Sequence, residues 1–277
     1  MKPLKQALGR RNVAQTLAWA GYHLRRAVCT PVARVNPTPV LLMGNQKSGT
    51  TAVADLLAKM TGCSVTLDIP AFAGDLALRI LAGQTSLEQA VRRNRYEFSH
   101  TIVKEPWLTF VWDDMARLFP GAPTLFIVRD PRQNIRSILN RLSVPGNLDA
   151  LSQSTLRAMK PGWRAAFELE LRERGEGLHY VEALAWRWNR AAEAYGRHAG
   201  QCVLLRYEDW TRAKAQVLQD TAVRLGLQPR RDITALVDRQ YQPRGDRSVS
   251  PAEFFGERNL RRVDEICGPL LERFGYK

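Results

Sequence analysis

Residues 40–51 read VLLMGNQKSGTT. Apolar residues run into Gly44, a polar turn carries Lys47, Ser48 and Gly49, and Thr50 and Thr51 open an amphipathic stretch. In that stretch Val53, Leu56, Leu57 and Met60 recur at i, i+3, i+4, i+7, the spacing of a core-facing helix. The unit is strand, tight turn, helix N-terminus. The first N–H groups of a helix have no intrahelical partner and its dipole is positive there, so such a turn binds an anion, most often phosphate. In the nucleotide-hydrolysing loop G-x-x-x-x-G-K-[ST] the lysine follows the second glycine. Here Thr50 stands at that place and Lys47 comes earlier, in the bend. The turn is a phosphate cradle without the usual NTPase layout.

Further short apolar runs, rich in β-branched residues, occur at 65–67, 101–104, 124–128 and 202–207, with helical patterns between them. This alternation predicts an α/β fold, a central parallel sheet with helices on both faces. Residues 143–179 break the rhythm with Pro145, Gly146, Pro161, Gly162, Gly175 and Gly177, and read as an insertion or lid over the sheet. A last helix is expected over 260–274, interrupted at Gly268-Pro269. The division is then a basic helical extension (1–38) and one domain (39–277).

The segment TLFIVRDPRQNIRSILNRL, 124–142, places Arg129 at a strand end. Asp130 caps a helix, Pro131 fits its first turn, and Ser137 lies two turns in, eight residues beyond Arg129. The arginine offers a permanently charged fork of donors and the serine one neutral donor. The cradle, R-D-P-R with its serine, and LLRYEDW at 204–210 resemble, in this order, the elements of sulfotransferases that use 3′-phosphoadenosine 5′-phosphosulfate (PAPS). The resemblance covers roughly residues 40–230 and implies the P-loop-like sulfotransferase fold. It implies that Lys47, Ser48, Gly49, Thr50, Thr51 and Ala52 form the 5′-phosphosulfate loop. It further implies that Arg129 and Ser137 grip the 3′-phosphate and that Tyr207 lies beside the adenine. PAPS is the implied co-substrate and PAP its product.

Two departures stand out. Ala52 occupies the position of an adenine-stacking tryptophan in the cytosolic small-molecule branch, so another side chain must stack. That branch's C-terminal Arg-Lys-Gly is also missing, with Arg244-Gly245-Asp246-Arg247 as a partial substitute.

Sulfuryl transfer asks a protein to align donor and acceptor and to neutralise charge on the leaving oxygens. The leaving group is a stable phosphate, so no metal is expected. Lys104 matches the family's strand-end lysine and is expected to stabilise the transferring group. Two residues on, where the cytosolic branch keeps a histidine base, stands Pro106. A carboxylate base fits better, as in the glycan and tyrosyl-protein branches. Asp68, nineteen residues past Gly49, ranks first and Glu105 second. The expected acceptor carries a hydroxyl on a carbohydrate or glycolipid, with a small phenolic or natural-product acceptor as the alternative. A nucleotide kinase is a remote rival, because position 50 holds no lysine.

Net charge is +14. That suits an anionic partner, but a nucleic-acid module gives no reason for the Arg129–Ser137 pairing, so nucleic acid is not expected. The four cysteines lack metal-ligand or disulfide-framework spacing, and no long apolar run or secretion signal is evident. A cytoplasmic setting is expected. In the basic extension, Val13, Leu17, Leu24 and Val28 share a helical face beside Trp19 and Tyr22, with Lys2, Lys5, Arg10, Arg11, Arg25 and Arg26 nearby. Such a helix packs on its own domain, the favoured reading, or makes a peripheral contact with an anionic membrane.

Overall fold

The computed structural model describes residues 13–175, 177–241 and 248–276. Helix α1 (Val13–Cys29) leads to β1 (Val40–Gly44), α2 (Thr50–Thr61) and β2 (Val65–Thr66). Short helices α3 (Leu76–Leu81) and α4 (Leu87–Arg93) precede β3 (Ile102–Lys104). A 3-10 segment (Pro106–Val111) and α5 (Trp112–Leu118) connect to β4 (Thr124–Val128) and α6 (Pro131–Leu142). Then come α7 (Gln153–Ala158), α8 (Pro161–Arg174), α9 (Tyr180–His198) and β5 (Val203–Arg206). Helices α10 (Tyr207–Arg212), α11 (Lys214–Arg224) and α12 (Pro251–Leu271) follow.

All strand pairs are parallel, in the order β2-β3-β1-β4-β5. Strands buried on both faces need near-continuous apolar runs, and VLLMG and TLFIV supply them. Alternate residues feed two cores. Leu41, Met43, Val103, Phe126 and Val128 pack on one face, whereas Leu42, Ile102, Leu125, Ile127 and Leu205 pack on the other. The expected sheet with helices on both faces is what the chain forms.

Strands β1 and β4 are neighbours, yet the chain leaves β1 toward β2 and leaves β4 toward β5, on opposite sides. This is a topological switch point, and ligands of open α/β sheets bind in the crevice outside the carboxyl ends of the strands there. Gly44 makes the close pairing possible. With φ at 139°, an added Cβ would lie 2.3 Å from the Ile127 carbonyl oxygen.

One stretch has helices of its own, and one expected helix break is displaced. Residues 143–179 hold helices α7 and α8, and α8 buries Ala165, Ala166, Phe167 and Leu169. The stretch is pinned at its base. Tyr180 Oη donates to Pro145 O (2.8 Å), and Asn259 Nδ2 donates to Gly146 O and Leu148 O (2.9 and 3.1 Å). Helix α12 passes through Gly268-Pro269 without a break and kinks at Gly256 (φ 68°) instead. Pro269 deprives only the Glu265 carbonyl of its i+4 donor, and Glu265 is exposed to water. Residues 244–247, the partial substitute for the C-terminal triplet, lie outside the described residues, as do Lys2, Lys5, Arg10 and Arg11.

Helix α1 packs on the body through one side. Tyr22 Oη and Arg26 Nε both reach Glu97 Oε1 (2.7 and 2.5 Å), and Arg26 Nη2 reaches Asn94 Oδ1 (3.2 Å).

Candidate active site

The turn between β1 and α2 is held by buried side chains from distant parts of the chain. Asn134, one turn into α6 and fully buried, donates to Gln46 O (2.8 Å) and Ser48 Oγ (3.0 Å) and accepts from Asn45 Nδ2 (3.0 Å). Thr109 Oγ1 accepts from the Gly44 N–H at 2.9 Å. Arg187 of α9, fully buried, grips Gln46 Oε1 with Nε (3.2 Å) and Nη2 (2.7 Å). Its guanidinium lies 4.1 Å from the Trp107 ring centroid and 3.9 Å from that of Phe110. Burial draws its pKa down to about 9. A turn so restrained keeps its donors aimed without relying on ligand to order them.

Lys47 sits in the bend with φ at 69°, a left-handed conformation rare outside glycine. Burial, then the positive charges of Arg141 and Arg129, lower its pKa to about 8. Gly49 follows as the N-cap of α2 at φ 91°, with no side-chain cap for the helix's first N–H groups. Thr50 is buried, and Ser48 and Thr51 flank the turn, Ser48 buried and Thr51 half-buried. Ala52 packs against the core on its side of the sheet.

Arg129 leaves the end of β4, and its Nη1 donates to Lys47 O at 3.1 Å. Trp188 Nε1 donates to Arg129 O at 2.9 Å and so fixes the strand end. Asp130 caps α6 by accepting from the N–H groups of Arg132 (2.8 Å) and Gln133 (3.4 Å). Ser137 is half-buried on α6, between Asn134 one turn before and Arg141 one turn after. Arg141 is exposed, and its charge acts on Lys47. Its only signal in the sequence is an i+4 spacing from Ser137.

Tyr207 opens α10 rather than ending a strand. Its ring lies under the Arg129 guanidinium, 4.5 Å to the centroid, and against Gly49. A Cβ on Gly49 would come within 2.7 Å of Tyr207 Cδ2. Lys47, Gly49, Arg129 and Tyr207 are therefore one cluster, drawn from the carboxyl ends of β1, β4 and β5.

Lys104 and Asp68 form a second group at the end of β3. Lys104 Nζ meets Asp68 Oδ1 at 2.5 Å, with the lysine side chain 2% exposed and the aspartate 68% exposed. Glu105 is close by in charge but faces elsewhere. It is fully buried, its Oε2 accepting from the Ile69 N–H (3.0 Å) and its Oε1 from the Trp107 N–H (3.1 Å). Burial raises its pKa to about 7, against the opposing pull of Lys104. The segment after Asp68 supports α8, because a Cβ on Gly162 would lie 2.7 Å from Ala73 O.

Among the described residues no cluster of three His, Cys, Asp or Glu side chains could hold a metal ion. None of the described helices is long and apolar enough to cross a membrane.

No protein-family model and no curated protein sequence matches the chain. Solved structures do. The sulfotransferase domain from the curacin biosynthetic pathway is 12% identical, with 88% of this chain and 99% of that one covered at a TM-score of 0.50. A sulfotransferase from Mycobacterium avium is 13% identical, with 93% and 81% covered, also at 0.50. The chain has the sulfotransferase fold.

Proposed function

We propose that this protein is a sulfotransferase that moves a sulfuryl group from PAPS to a hydroxyl of an acceptor, a carbohydrate or glycolipid. The carrying observation is that Arg129 and Lys47, read from the sequence as ligands of opposite ends of one nucleotide, are joined directly, Nη1 to carbonyl, at 3.1 Å. The residues fit a nucleotide phosphorylated at both ends. An uncapped helix N-terminus at Gly49 suits one phosphate. The Arg129 fork, with Ser137 and Arg141 on the adjoining helix, suits the other.

The bound nucleotide supplies an activated sulfuryl group with a stable phosphate as its leaving group. Lys47 neutralises charge where the leaving oxygen develops it. Thr50, Thr51 and the first N–H groups of α2 hold the 5′-phosphate. Tyr207 orients Arg129 from below and borders the adenine.

Asp68 is the base, taking the proton of the acceptor hydroxyl. Exposure favours it, since an accessible carboxylate can approach an incoming hydroxyl. Lys104 holds Asp68 and stabilises the transferring group. Glu105, occupied by two backbone N–H groups, positions both neighbours. The carboxylate base and the net charge of +14 are the support for an anionic or sugar acceptor approaching under residues 143–179.

The test is thermal denaturation with PAP, ATP·Mg²⁺ or no ligand, followed by turnover of labelled PAPS on sugars, glycolipids and phenols. PAP alone is expected to stabilise, and sugars to accept label. Stabilisation by ATP·Mg²⁺ without PAP overturns the enzyme class; label on phenols alone overturns the acceptor class.

A further inference from the structure

Helix α1 carries two faces with opposite fates. Tyr22 and Arg26 tie one face to Glu97, and Arg95 Nε donates to Thr30 O just beyond the helix end. On the other face Leu17, Leu24 and Val28 are 67%, 68% and 65% exposed, and Val32 in the following turn is 79% exposed. At about 100° per residue these three helical side chains fall within an arc of about 40°, with Arg26 opposite. Gly21 lies along the same stripe, and a Cβ built there meets nothing within 4 Å. Among the described residues nothing packs on the stripe, because the body holds the helix by its far side.

Charge identifies what such a stripe would meet. Residues 1–46, which precede the cradle lysine, contain seven Lys or Arg and no Asp or Glu. Arg25, beside the stripe, and Arg34, just after it, are exposed. A second copy of the chain would bring one acid-free basic segment against another, like charge on like charge. An anionic bilayer offers acyl chains to the leucines and valine, and headgroup charge to the arginines.

We propose that α1 is a docking helix, laying Leu17, Leu24 and Val28 into the interface of an anionic membrane with Arg25 and Arg34 against its headgroups. The inference stands apart from the sulfotransferase reading, since it uses none of the residues of that site.

The test is co-sedimentation of the full chain with vesicles of phosphatidylcholine alone or with about 30 mol% phosphatidylglycerol, a surface charge near that of a natural anionic leaflet. Binding is expected only to the anionic vesicles, and to weaken as salt rises from about 0.1 to about 0.5 M. Leu24→Ser/Val28→Ser is expected to lower bound protein roughly tenfold or more, with Tm unchanged because both side chains are exposed. Arg25→Glu/Arg34→Glu, which leaves the apolar stripe intact, is expected to abolish the preference for anionic vesicles. Equal binding to neutral vesicles, no binding at low salt, or wild-type binding by both variants overturns the proposal. So does a wild-type dimer in sedimentation velocity that the Leu24→Ser/Val28→Ser pair dissolves.

Discussion

Arg129 donates to the backbone carbonyl of Lys47 across the β1–β4 junction, while its guanidinium rests on the ring of Tyr207. One side chain thus spans the two segments that a nucleotide phosphorylated at both ends would bridge. Arg129→Ala is expected to weaken PAP binding by about 10- to 100-fold, the range of a charge-assisted hydrogen bond. Arg129→Lys is expected to recover little of this, since an ammonium cannot stack on the ring and offer a planar fork together. Titration calorimetry with PAP measures both.

Lys47 is expected to couple PAP binding to proton uptake. In the folded protein its pKa is about 8, against 10.5 ordinarily, so folding penalises its charged form. That penalty is present below about pH 8 and is relieved as pH rises from there toward the ordinary value. A phosphate beside the ammonium restores the charged form. Affinity for PAP should therefore decline as pH rises past about 8, and calorimetry in buffers of different ionisation enthalpy should register proton uptake there. Lys47→Met should lose the pH dependence and reduce turnover at least about 100-fold, the scale of one electrostatic catalytic contact.

Asn134 is the keystone of the turn, serving Gln46 O, Ser48 Oγ and Asn45 Nδ2 from a fully buried position. Asn134→Ala leaves those groups unsatisfied and is expected to cost about 1–3 kcal/mol of stability. Because the turn loosens, kcat/KM should fall as well. Chemical denaturation and initial rates check the two effects separately.

The elements around the cradle were legible in the sequence because their signals are local. Apolar runs, the i, i+3, i+4, i+7 pattern after Gly49, and Asp130-Pro131 as cap and first turn all act within a few residues. Asn134 and Arg187 carry no local signal of that kind. Asn134 meets Gln46 from 88 residues away and Arg187 meets it from 141. Nothing in QNIR or AWRWN announces such partners. The apolar run at 202–207 suggests a strand end at Tyr207, but YEDW already supplies a helical turn, with Glu208 and Asp209 at its positive end. Burial was the other hidden variable. Asp68 and Glu105 are both acidic residues beside strand ends, and only packing makes one exposed and the other enclosed.

That difference separates their expected phenotypes. Asp68→Asn removes the counter-charge of the buried Lys104 ammonium, so Tm should fall at every pH while kcat falls at least about 100-fold, as for loss of a general base. Glu105→Gln keeps shape but changes which atoms can accept from Ile69 and Trp107, so it should alter stability in a pH-dependent way. In the folded chain Glu105 has a pKa of about 7, above its ordinary 4.5. The protonated form is therefore favoured by folding. That stability is fully present below about pH 4.5 and is lost as pH rises through about 7. Relative to Glu105→Gln, which cannot ionise, the wild-type protein should lose stability across this window, by an amount on the order of 1–3 kcal/mol. Urea denaturation of both proteins at a series of pH values measures the difference. A flat difference across the window, or full activity in Asp68→Asn with none in Glu105→Gln, would reverse the two roles.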